Sequence, residues 1–132
     1  MKDKKPNVYE GIRRIVERDP RYQRAAYYFV FHALEHTLQK TQHQGHVSGQ
    51  ALLDGIREFA IDKFGFLAKT VFDSWGVHRT DDFGEIVFNL FEHDLMKRAD
   101  TDRREDFSGR YDFEQVFERE FDWNALKLDG SN

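Results

Sequence analysis

The segment His32-Ala33-Leu34-Glu35-His36 holds two imidazoles four residues apart with a carboxylate between them. On an α-helix that separation puts both rings on one side. They can then ligate a metal while the glutamate activates a bound water, the pattern of inverted zinc peptidases. Such chemistry also needs a third ligand and a cleft that excludes bulk water, and no motif in the chain specifies that ligand. The three residues fall opposite the apolar stripe of their helix, Ala26, Tyr27, Val30, Ala33, Leu34, Thr37 and Leu38, which predicts an open, solvated face. His32, Glu35 and His36 are therefore expected to be a surface group, with adventitious metal binding as the intermediate case and metal-dependent hydrolysis as an alternative. His43 and His46, in the Gln- and His-rich connection that follows, are expected to be solvated. The chain has no Gly-rich phosphate loop, no Gly-x-Ser-x-Gly elbow and no cysteine nucleophile, so no cofactor and no specific small molecule is indicated.

The elements that position these residues follow from spacing and punctuation. Val8, Ile12, Ile15 and Val16 predict a short helix over residues 8–18 with its arginines outward. Asp19-Pro20 reads as the start of a second helix running to about Gln42, because Asp caps well and Pro suits the first helical position. Ser48 is the expected cap of a third helix with Leu52, Leu53, Ile56, Phe59, Ala60 and Phe64 at three- and four-residue steps, stopped by Gly65. Phe66, Leu67, Val71, Phe72 and Trp75 predict a fourth, closed by Gly76. A fifth opens at Thr80, with Asp81 and Asp82 in the turn where the helix dipole favours negative charge, and buries Phe83, Ile86, Val87, Leu90 and Phe91. The chain from 95 to 107 has weak alternation about the turn-prone Asp100-Thr101-Asp102 and is read as a short β-hairpin. Asp112 is read as the cap of a last short helix bearing Phe113, Val116 and Phe117.

This order gives a mainly α fold: a single small domain of five to six helices with a helix-turn-helix or winged-helix-like core, or in competition a plain helical bundle. Residues 1–7 are expected to be a flexible N-terminus, 8–121 the domain, and 122–132 a C-terminal tail. The 132 residues include thirteen Phe, five Tyr and two Trp, while 33% of residues are charged, so an aromatic core under a charged skin is expected. Absence of cysteine, of an apolar N-terminal run and of any long apolar window points to a soluble cytoplasmic protein with no membrane partner.

Charge is uneven. Residues 1–24 hold eight Lys/Arg against four Asp/Glu, and residues 81–123 hold six against fourteen. A recognition helix needs cations near its start to meet phosphates and base edges. The fifth helix offers Asp81, Asp82, Glu85, Asn89 and Glu92 instead, with only His78 and Arg79 nearby, which disfavours groove reading. The alternative nucleic-acid surface is the basic first helix and its exit, Arg13, Arg14, Arg18, Arg21 and Arg24, unless these neutralise the acidic half.

Phe88 and Phe91, with Ile86, Val87 and Leu90, make the fifth helix apolar over much of its circumference. Such a helix is either central or keeps a strip for a partner. With Trp75, His78 and Arg79 these two rings are the expected interaction residues. The sequences HVSGQ at 46–50, SWGVHRT at 74–80, DFGEIVFNL at 82–90, REDF at 104–107 and YDF at 111–113 resemble a family of small bacterial proteins without an assigned activity, cofactor or partner. The resemblance implies a bacterial cytoplasmic origin and carries over no functional residues. The reading that follows is a non-enzymatic protein-interaction module, an adaptor or a self-associating chain, with a nucleic-acid-associated protein as the alternative.

Overall fold

A computed structural model of the chain describes residues 7–41 and 46–125. Helix α1 spans Val8–Arg18, α2 Arg24–Thr41, α3 Gly49–Phe64, α4 Ala68–Ser74 and α5 Thr80–Glu92. Short 3-10 turns occupy Gly65–Leu67, Arg104–Phe107 and Trp123–Ala125, and a π-helical turn occupies Gln115–Arg119. The fold is mainly helical, and no strand occurs among the described residues. Apart from Asn7, the expected flexible N-terminus lies outside them, as do His43 and residues 126–132 of the expected tail.

Local chemistry sets most helix ends. The Asn7 side chain accepts the Glu10 N–H at 3.1 Å and starts α1, and Ser48 accepts the Ala51 N–H at 3.1 Å and starts α3. α2 begins four residues later than Asp19-Pro20 suggests. The Asp19 side chain accepts the Arg21 N–H at 3.3 Å, pairs with the Arg21 guanidinium at 2.7 Å and is held by the Asn89 side chain on α5 at 3.0 Å, while residues 20–23 form a turn and the helix starts at Arg24.

Gly76 ends α4 with φ 86°, the left-handed conformation that favours glycine, while the Val77 N–H returns to the Phe72 carbonyl at 2.9 Å. A second constraint acts here. A Cβ on Gly76 would lie 2.3 Å from the Arg21 carbonyl oxygen, so the turn and the α1–α2 connection touch backbone to backbone. The neighbouring bond from the Gln23 N–H to the Trp75 carbonyl, 3.0 Å, ties the same two segments.

α5 is the centre of the molecule. It buries Thr80, Phe83, Gly84, Ile86, Val87, Phe88 and Leu90 and packs on α1, α2, α3 and the turn Arg104–Phe107. Around Phe72 of α4 the rings of Phe29, Phe83, Phe113 and Phe117 gather with centroids 5.2 to 5.5 Å away, mostly tilted or edge-on. Each fully buried ring contributes about 1.5–3 kcal/mol relative to exposure, so this cluster dominates the core. It also draws in the C-terminal segment: Asp112 caps as expected, accepting the Gln115 N–H at 3.0 Å, and Tyr111 donates to the Leu53 carbonyl at 2.6 Å.

The expected β-hairpin over 95–107 does not form. Asp102, only 6% exposed, accepts the Ala99 N–H through its side chain at 2.8 Å and donates its own N–H to the Ala99 carbonyl at 3.0 Å. These bonds close a tight turn, and the side-chain bond takes the Ala99 N–H that a hairpin would pair with the Asp102 carbonyl, which instead accepts from Arg98 at 2.9 Å. The strand partner is likewise consumed, because residues 104–107 coil into a 3-10 turn whose Phe107 ring is buried against α5 and α3.

Candidate functional site

Two concavities flank α2. The first is a groove between α2, α3 and the end of α4, about 790 Å³, with an aromatic floor of Phe29, Phe59, Phe64 and Trp75. The rings are mutually packed: Phe64 is 5.8 Å from Phe29 and 5.9 Å from Trp75, and Phe59 is 5.4 Å from Phe29. Phe29 is buried, whereas Phe59, Phe64 and Trp75 remain half-buried and line the groove.

His32, Glu35 and His36 line the rim of this groove. His32 and Glu35 remain exposed, 67% and 68% by side chain, although the face they occupy borders a concavity that was not expected. The apolar stripe of α2 is wider than its periodic positions indicate because Phe29, on the flank, is also buried. The rim does not converge on a metal, however. His32 Nδ1 stands 4.0 Å from the Glu35 carboxylate, while His36 Nε2 turns to Glu58 of α3 at 3.5 Å. Glu58 in turn binds Lys40 at 2.6 Å, and this lysine together with His36 holds its carboxyl below the usual range. Among the described residues no group of three or more His, Cys, Asp or Glu is arranged to hold a metal ion.

The second concavity, about 570 Å³, lies between the C-terminal halves of α2 and α5, the start of α3 and the loop 96–107. Leu34, Leu38, Leu52, Val87, Phe91 and Phe107 supply apolar walls, and His46, Lys97, Arg98 and Asp102 a polar end. His46, expected to be solvated, pairs through Nε2 with Asp102 Oδ1 at 2.9 Å. Nothing in the sequence signals this pair, since 46 and 102 are far apart in the chain and no spacing links them.

The expected interaction residues are dispersed. Phe88 is 5% exposed, covered by the guanidinium groups of Arg98 and Arg104, each 4.9 Å from its ring centroid, and by Phe91 at 5.0 Å. Phe91 is half-buried and faces the second concavity. The breadth of apolar surface on α5 reflects its central position. Trp75 belongs to the groove. His78 is exposed, its Nδ1 2.9 Å from Asp73, and Arg79 is exposed at the start of α5.

The basic and acidic residues are largely paired within the chain. Arg13 bonds Glu10 and Glu17, Arg14 bonds Glu10 at 3.2 Å, and Arg21 bridges Asp19 at 2.7 Å and Glu85 at 3.2 Å. Arg18 and Arg24 stand exposed. The outward carboxylates of α5 are also engaged. Asp81 accepts the Gly109 N–H at 3.1 Å and the Ser108 hydroxyl at 3.2 Å, bonds that lower its carboxyl pKa. Asp82 accepts from Tyr22 at 2.6 Å and from the His78 N–H at 2.8 Å, and Glu85 binds Arg104 at 2.8 Å.

No family model matches the chain, nor does any curated protein or solved structure. No helix among the described residues is long and apolar enough to cross a membrane.

Proposed function

We propose that the chain is a non-enzymatic interaction module, an adaptor or a self-associating protein, that receives an apolar segment of a protein partner in the groove between α2 and α3. The observation that carries this reading is the aromatic floor: the half-buried Phe59, Phe64 and Trp75 line a concave surface rimmed by His32, Glu35, His36 and Lys63. Large rings in a concave patch with a polar rim are the composition in which binding energy concentrates. The bacterial cytoplasmic origin implied by the sequence resemblance belongs to the same proposal.

The helix-turn-helix or winged-helix-like core remains part of this reading only as an order of elements, α3, α4, the Gly76 turn and α5. In this proposal that order serves packing rather than DNA reading. A recognition helix must leave one face free for a groove, whereas α5 is surrounded by α1, α2, α3 and the Arg104–Phe107 turn. Its outer carboxylates Asp81, Asp82 and Glu85 are bonded within the domain and would repel phosphate. Of Arg13, Arg14, Arg18, Arg21 and Arg24, the cations expected to serve the nucleic-acid alternative, Arg13, Arg14 and Arg21 already pair with carboxylates, while Arg18 and Arg24 stand exposed.

Sedimentation velocity over a wide concentration range, combined with retention of cell proteins on the immobilised chain, tests the proposal against Phe59→Ala and Phe64→Ala variants checked for native circular dichroism. Association, with itself or with a specific protein, is expected to weaken at least tenfold in the variants. A chain that stays monomeric and retains the same proteins before and after substitution overturns it.

A further inference from the structure

We propose that the cavity between α2, α3, α5 and the 96–107 loop binds a small monocarboxylic acid with an apolar body. This site is separate from the α2–α3 groove. Its volume, about 570 Å³, falls in the range of small-molecule sites, and it has the composition of one: apolar walls with a few polar groups gathered at one end.

The sign of the ligand's charge follows from which polar groups are already matched. Asp102 is 6% exposed, and both its carboxylate oxygens are engaged, Oδ2 by the Ala99 N–H at 2.8 Å and Oδ1 by His46 Nε2 at 2.9 Å. It is therefore already paired with the Ala99 N–H and His46, and at 6% exposure it offers little surface to an amine. Its backbone carbonyl takes one N–H of Arg98 at 2.9 Å, and the Arg98 guanidinium is stacked over Phe88 at 4.9 Å. Arg98 is thus held in place with other N–H donors unspent, since a guanidinium has five. Lys97, exposed beside it, adds a second cation. Arg98 and Lys97 are both cations at this end while the Asp102 carboxylate is already paired, so one carboxylate of a ligand meets cations there while its body displaces water from the walls formed by Leu34, Leu38, Leu52 and Phe91.

The three bonds around Asp102 also fix the geometry. Ala99, His46 and Arg98 converge on one residue, so the polar end is built before a ligand arrives and costs little ordering on binding.

Isothermal titration of the full chain with decanoate, decanol and decylamine tests the assignment, with methyl chemical shifts of Leu52 and Val87 reporting the place of binding. Decanoate is expected to bind in the cavity and at least tenfold more tightly than decanol, with decylamine weakest. Lys97→Gln, which removes a charge without touching the packed walls, is expected to weaken decanoate about threefold to tenfold and leave decanol unchanged. Leu38→Trp, which fills the cavity from α2, is expected to abolish both. Equal affinity for decanoate and decanol, preference for decylamine, or shifts confined to the α2–α3 groove each overturn the assignment. The three wild-type titrations decide the question even where a variant fails to fold.

Discussion

Replacing Thr80 separates a helix-start residue from a tertiary tie. Thr80 is fully buried, and its hydroxyl donates to the Phe107 carbonyl at 2.7 Å while accepting the Arg110 N–H at 3.0 Å. Thr80→Val keeps the volume and removes both bonds. The Phe107 carbonyl, beside a ring that is 3% exposed, is then left without its partner, whereas the Arg110 N–H, on an exposed residue, regains water. One buried orphan costs about 1–3 kcal/mol and a solvent-compensated bond about 0.5–1, so the loss expected is roughly 2–4 kcal/mol. Thr80→Ser keeps both bonds and deletes one buried methyl, at a cost of about 1 kcal/mol including its small cavity. Urea unfolding followed by tryptophan fluorescence is the assay. If Thr80 served only the local helix start, Ser would be neutral and Val would cost about 1 kcal/mol, as at ordinary caps. A Val variant that loses no more stability than the Ser variant refutes the tertiary assignment.

Two glycines with positive φ should respond unequally to alanine. Gly76→Ala combines the left-handed conformation with a Cβ 2.3 Å from the Arg21 carbonyl oxygen and is expected to lose more than about 3 kcal/mol, whereas Gly109→Ala, φ 56° with nothing within 4 Å, should lose about 1–2 kcal/mol in the same assay. Acid stability should carry the signature of Asp19. The Arg21 guanidinium hydrogen-bonded to it, with help from Asn89, holds its carboxyl well below the usual range, so its contribution is complete above the unfolded value near 3.9 and is lost as the pH falls further. The stability difference between wild type and Asp19→Asn is therefore expected to shrink below about pH 4, and a difference constant down to pH 2 would contradict it. At the crossing of α2 and α3 a Cβ on Gly55 would meet Thr37 Oγ1 at 1.7 Å, so Gly55→Ala should lower the melting temperature by several degrees and Thr37→Ala should restore part of the loss.

Helix existence was readable from the chain because it depends on neighbours. Ser48 starts its helix, Gly65 and Gly76 end theirs, and Asp112 caps the last turn, all through bonds between residues a few positions apart. The aromatic content likewise announced the core. The start of α2 was not readable from Asp19-Pro20: Asp19 is held by Arg21 beside it and by Asn89, seventy positions away, and the helix begins only at Arg24. The loop at 95–107 failed as a hairpin for a related reason: a side-chain turn at Asp102 and burial of Phe107 outweigh weak alternation.

The two concavities belong to the tertiary structure alone. His32, Glu35 and His36 were visible as a helical triplet, but only the approach of α3 shows that Phe59 and Phe64 floor a groove beside them and that His36 is turned to Glu58. Phe88 and Phe91 stood out as an apolar excess on α5. The loop that returns over that helix assigns one ring to the lids formed by Arg98 and Arg104, and the other to a cavity wall. By itself the sequence determined helices, caps and the sign of charge along the chain, because these are set within a turn or two. Which faces were covered and which stayed open was decided by contacts between residues tens of positions apart, where local pattern carries no information about which partner arrives.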